Sequence, residues 1–132
     1  MILSRDISDR IVDVSYYYLG KPFDWETFNC VHFVRKVYLE VDIYLPPLIR
    51  KGLPPAEFHL SDDEFTAMPI GHTVFFKRKE SKLERLWTHV AIIIGPNELV
   101  HCTRNLGRGV VITPKSEFME IYSLAPKVQN LK

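Results

Sequence analysis

With two cysteines in 132 residues, the chain lacks the framework of a disulfide-built secreted module. One pairing is open, Cys30 with Cys102, and the strand alternation read below points those side chains away from each other, against a bond. Charge of one sign is also lacking. Seventeen Lys and Arg stand against sixteen Asp and Glu, a formal net charge of +1, which excludes a global field for nucleic acid or an anionic membrane. No apolar run nears the ~20 residues of a membrane span. Arg5 and Asp6 come too early for the apolar segment of a signal peptide. These absences lead us to expect a protein made in the cytoplasm. It would reach any outside substrate through a signal-independent secretion system or in a phage particle. Neither a glycine-rich phosphate loop nor a His-Glu-x-x-His metal motif occurs, so no cofactor is expected.

What is present fits one globular domain spanning residues 1–132: 46% hydrophobic residues and 12% aromatics supply a core without staples. Ile7, Ile11, Val14 and Tyr18 recur at helical spacing, with Asp6 or Ser8 as N-cap and Gly20 then Pro22 as the stop. After a short loop, a second helix starts near Asn29, a favoured cap type, and buries Phe33, Val34, Val37, Tyr38 and Val41. Leu45-Pro46-Pro47 ends regular structure, and Gly52-Leu53-Pro54-Pro55 with His59 reads as a connecting loop. Ser61 and Glu64 have capping-box spacing for a short helix through Met68. Beyond residue 70 the period becomes strand-like: Thr73 to Lys77, His89 to Ile94, Glu98 to Thr103, Val110 to Thr113 and Ile121 to Ala125. The mixed charges from Lys77 through Arg85 read as a solvated hairpin loop. Helices first and strands second predict an α+β domain, its N-terminal helices packed on a mostly antiparallel sheet of five to six strands.

Chemistry gathers at three residues. Cys30 opens the second helix, where unpaired amides and the helix dipole favour a thiolate and the residue's own N–H can serve an oxyanion. His89 begins one strand and His101 ends the next. A three-residue hairpin loop, Gly95-Pro96-Asn97, pairs Ile94 with Glu98 and sets His101 opposite Ala91, so both histidines share a face. With Cys30 presented on that face, the roles are nucleophile for Cys30, general base and then acid for His89, and orienter of that base for His101. Cys102 alternates to the other, core side. His32 reads as a pocket wall or surface residue, since two residues along a helix turn side chains apart. Trp25, Phe28 and Trp87 are either core or the floor of a substrate groove. Zinc held by Cys30, His89 and His101 is conceivable in ligand type, but no short-spaced pair supports it.

These motifs resemble the NlpC family of papain-like cysteine peptidases, bacterial cell-wall hydrolases. The likeness runs from about Ile7 to Pro114. It is carried by Tyr18-Leu19-Gly20-Lys21-Pro22-Phe23-Asp24-Trp25, Phe28-Asn29-Cys30-Val31-His32-Phe33-Val34, Pro69-Ile70-Gly71-His72-Thr73-Val74-Phe75-Phe76, His89-Val90-Ala91-Ile92-Ile93-Ile94-Gly95 and Leu99-Val100-His101. The resemblance implies a papain-like fold and hydrolysis of an amide through a Cys30 thioester. The substrate it implies is the stem peptide of peptidoglycan, cut as an endopeptidase. The chain departs from the family at Asn29, where Asp is usual, and at Val31 and His32, where Ser-Gly is usual. Phe23 stands where a tyrosine lines the oxyanion site, and His72 where an aspartate is common. Phe23, Trp25, Asn29, His32 and Trp87 are therefore the candidate substrate-binding residues. A secreted effector of this kind would meet a cognate immunity protein that plugs its cleft. Two other readings stay open: a thiol acyltransferase or deamidase on a related scaffold, and a non-catalytic binding module that retains the fold.

Overall fold

In the computed structural model, residues 3–45, 60–80, 87–104 and 108–125 are described. The loop expected through residues 46–55, His59 and the second half of the charged loop lie outside them. Helix α1 (Arg5–Tyr17) begins earlier than Asp6 or Ser8 would place it, because the Ser4 hydroxyl accepts the Ile7 amide at 3.2 Å. Helix α2 (Cys30–Leu39) starts where Asn29 caps it and buries Cys30, Phe33, Val34, Val37 and Tyr38. Helix α3 (Asp62–Thr66) carries the capping box of Ser61 and Glu64.

Five strands follow: β1 (Thr73–Arg78), β2 (His89–Gly95), β3 (Glu98–Thr103), β4 (Gly109–Pro114) and β5 (Tyr122–Leu124), in the order β4-β3-β2-β1-β5, all antiparallel. Between β4 and β5 runs a helix absent from the sequence reading, α4 (Lys115–Ile121). Its N-cap is Pro114, which makes no side-chain hydrogen bond, so the usual start signal is missing.

Every residue of β2 is buried, because helices cover both faces of the sheet. On one face Phe75, Val90, Ile92, Val100, Cys102 and Val110 meet Ile11 of α1 and Phe33, Val34 and Val37 of α2. On the other, Val74, Phe76, Ala91, Ile93 and Leu99 meet Phe65 of α3 and Phe118 of α4. The segment between α1 and α2 is fastened to β4 by hydrogen bonds from the Gly20 amide to the Val110 carbonyl and from the Val110 amide to the Lys21 carbonyl, both 3.0 Å. Gly109, at φ +130°, makes that approach possible: a β-carbon there would be driven into the Lys21 carbonyl.

Candidate active site

The hairpin register places the two histidines as the sequence implied, with one correction. Ile92 pairs with Val100 and Ile93 with Leu99, which carries His101 opposite Ala91, but a bulge puts Gly95 rather than Ile94 across from Glu98. His89 and His101 share a face. Nε2 of His89 lies 2.7 Å from Nδ1 of His101, and Nε2 of His101 lies 2.8 Å from the Thr113 hydroxyl. Thr113, on β4, was not foreseen; nothing in a strand threonine's local sequence announces a histidine across the ladder. Tyr122 stacks on the His89 ring at 4.9 Å, and Phe118 meets the His101 ring edge-on at 5.0 Å.

His101 is fully buried, and burial pushes its pKa down to about 3. It therefore stays neutral at physiological pH, with one ring nitrogen a donor and the other an acceptor. If Nε2–H donates to the Thr113 oxygen, Nδ1 accepts Nε2–H of His89, and the Nδ1 of His89 is left as the basic nitrogen. The opposite proton order, with Thr113 donating, would leave His89 protonated at Nδ1. The proton order along this chain thus decides which ring nitrogen of His89 is the base.

Cys30 is 2% exposed and belongs to the core between α2 and the sheet, in the same cluster as Cys102. Neither cysteine forms a disulfide. The Cys102 sulfur donates to the Phe28 carbonyl at 3.4 Å, and burial, with the neighbouring Cys30 second, raises its pKa to about 12. The expectation that the cysteines point apart is overturned, since both sit in one cluster and Cys30 acts on the Cys102 thiol. α2 docks on the face of Val90, Ile92, Val100 and Cys102, while the rings of Phe118 and Tyr122 fill the face of His89 and His101. Among the described residues, no three His, Cys, Asp or Glu side chains form a group that could hold a metal, Cys30 with the two histidines included.

The first turn of α2 is heavily bonded. The Asn29 side-chain oxygen accepts the amides of Val31 (2.9 Å) and His32 (3.1 Å), and Nδ1 of His32 accepts the Asn29 amide at 3.1 Å. Asn29 also donates through Nδ2 to the Trp25 carbonyl at 3.1 Å. The residues that depart from the family pattern here thus form a capping box. Trp87, expected as a substrate contact, is core: it is 1% exposed and packs edge-on to Phe75 at 5.1 Å. Trp25 is 52% exposed, beside Phe23 at 6.2 Å. The Arg104 guanidinium, unforeseen from sequence, lies over both rings at 5.4 and 5.9 Å.

No family model and no curated protein matches the sequence. Solved structures do. An NlpC/P60 family protein from Bacillus cereus superposes at TM-score 0.67 and 25% identity, over 91% of this chain and 39% of that one. NlpC2 from Trichomonas vaginalis superposes at 0.71 and 15%, over 95% and 46%. The NlpC/p60 domain of the peptidoglycan hydrolase SagA does so at 0.58 and 19%, over 90% of this chain and 98% of the domain. The chain spans less than half the length of the first two. Its antiparallel sheet, its helices and their order are those of the NlpC/P60 fold, as its motifs implied.

Proposed function

We propose that this domain is a cysteine peptidase that hydrolyses an amide bond through a thioester on Cys30, with the stem peptide of peptidoglycan as substrate. The observation that carries the reading is the hydrogen-bonded chain His89–His101–Thr113. A buried, neutral His101 that accepts from Nε2–H of His89 holds the base in one tautomer and stabilises the imidazolium formed when the thiol is deprotonated. Cys30 attacks the carbonyl carbon, His89 returns the proton to the leaving amine, and a water activated by His89 then releases the acyl group. The Cys30 amide, at the start of α2, is the oxyanion donor in this scheme. The mechanism requires the Cys30 sulfur to reach Nδ1 of His89. His89 is the first residue of β2, at the end of its strand. The SagA domain, whose parent is a peptidoglycan hydrolase, supports the substrate class.

Two measurements test this. Purified peptidoglycan incubated with the protein should yield stem-peptide fragments by mass spectrometry, and Cys30→Ala should yield none. Alkylation of Cys30 by iodoacetamide at neutral pH should slow about tenfold or more in His89→Ala, as expected when an imidazolium partner is lost. Equal cleavage by Cys30→Ala, or equal alkylation rates, sinks the mechanism. A second reading has its own observation: the burial of Cys30 beside Cys102 suits a binding module that retains the fold. That reading predicts no cleavage and slow alkylation in the parent protein.

A further inference from the structure

Outside the thiol and imidazole sites, the outer face of α2 borders a groove of about 490 Å³, lined by Lys21, Thr27, Phe28, His32, Arg35, Lys36, Leu39, Tyr44 and Leu45. That volume is in the range of small-molecule sites. Among the described residues, three permanent cations and one histidine line it and no carboxylate does, in a chain whose charges are otherwise balanced. Asp24, whose carboxyl is acidified chiefly by the Thr27 amide and in lesser part by His32, stands outside the lining. His32, Arg35 and Lys36 lie on the first two turns of the helix and Lys21 on the segment before it, while Leu39 and Tyr44 supply apolar surface at and beyond its C-terminal end. Leu39 and Tyr44 are 63% and 68% exposed. Two of the cations are held in place: Arg35 Nε donates to the Leu45 carbonyl at 2.9 Å, and the Lys21 ammonium sits 4.3 Å over the Phe28 ring. Preorganised donors of like charge beside an open apolar wall are costly alone and favourable around an anion.

We infer that this groove binds a small single-chain amphiphile with a phosphate head. The head is taken by Lys21, His32, Arg35 and Lys36, and a short alkyl tail lies on Leu39 and Tyr44. The inference stands apart from the thiol mechanism.

Octyl phosphate is the probe, titrated calorimetrically below its critical micelle concentration into the full chain. Saturable binding is expected. It should weaken about tenfold in Lys36→Glu, which reverses a charge beside the head, and measurably in Leu39→Ser, which shortens the tail's wall. Both positions are exposed on the helix, and circular dichroism checks that the variants fold. Cys30→Ala should bind like the parent even if the catalytic reading fails, and loss of peptidoglycan cleavage without loss of octyl phosphate binding separates the two. The inference is overturned by any of several results: no saturable binding, octyltrimethylammonium binding as tightly, inorganic phosphate binding as tightly, or an unchanged dissociation constant in Lys36→Glu. An acidic peptide such as acetyl-Glu-Leu-Glu-amide binding more tightly than octyl phosphate overturns it in favour of a peptide groove.

Discussion

His101 and Cys102 are neighbours in the chain, yet their side chains occupy different environments on the two faces of one sheet. The thiol face mixes aliphatic and aromatic side chains and is closed by α1 and α2, with Cys102 pushed up to about 12. The imidazole face is closed by α3 and α4, with aromatic rings against the histidines and His101 pushed down to about 3. Burial drives both shifts, and in each case it disfavours the charged form. The difference lies in hydrogen bonding. The imidazoles form a continuous chain to Thr113, whereas the Cys102 thiol donates weakly to a single carbonyl. A buried polar group is retained cheaply only when its partners are in place. The histidine face therefore depends on an exact set of neighbours, and the thiol face depends mainly on shape.

That contrast can be broken from either side. Phe118→Ala should have the largest effect, because Phe118 is fully buried against His89, His101, Phe76 and Tyr122. A loss of about 3–5 kcal/mol is expected from urea unfolding, and a loss under 1 kcal/mol would mean that α4 does not close this face. On the thiol side, Gly109→Ala should cost about 2–3 kcal/mol, since it adds backbone strain at φ +130° to a collision with Lys21. Thermal unfolding measures it, and an unchanged midpoint would show that the loop is not clamped there.

Acid should distinguish the faces next. The folded His101 holds its proton less tightly than the unfolded chain, with pKa values near 3 and 6.5. Its contribution is complete above about pH 6.5 and declines as pH falls toward 3, with a slope of up to ~1.4 kcal/mol per pH unit. His101→Gln should remove that slope between pH 6 and 4 in urea titrations, while Cys102→Ala should leave it intact. Asn29→Ala should have the smallest effect, about 1 kcal/mol from the lost cap, and Asn29→Asp should recover most of it in the same assay.

Much of this was legible in the sequence. Ser61 and Glu64, Asn29 and the hairpin loop announced themselves, because caps and turns are decided by neighbours in the chain. Strand alternation likewise revealed that His89 and His101 share a face. It did not reveal which face α2 covers, since a period of two labels the sides of a sheet without saying what docks on them. That choice depended on α4, hidden behind an uncapped Pro114, whose Phe118 claims the histidine side. Trp87 as core, Thr113 as the end of the chain of rings, and Arg104 over Trp25 are tertiary encounters between distant segments. No local pattern encodes them.

The clamped segment before α2 carries one further consequence. It is pinned to β4 at Gly20 and Lys21, and to β3 where the Cys102 thiol meets the Phe28 carbonyl. Between these anchors the Asp24–Phe28 bridge closes a turn, so the residue count works like a gauge block that sets where α2 begins on the sheet. Relatives diverging from this chain would be free to exchange side chains here, as Phe23 and Trp25 invite. Adding or deleting one residue would shift Cys30 along the sheet and require a compensating change in β4.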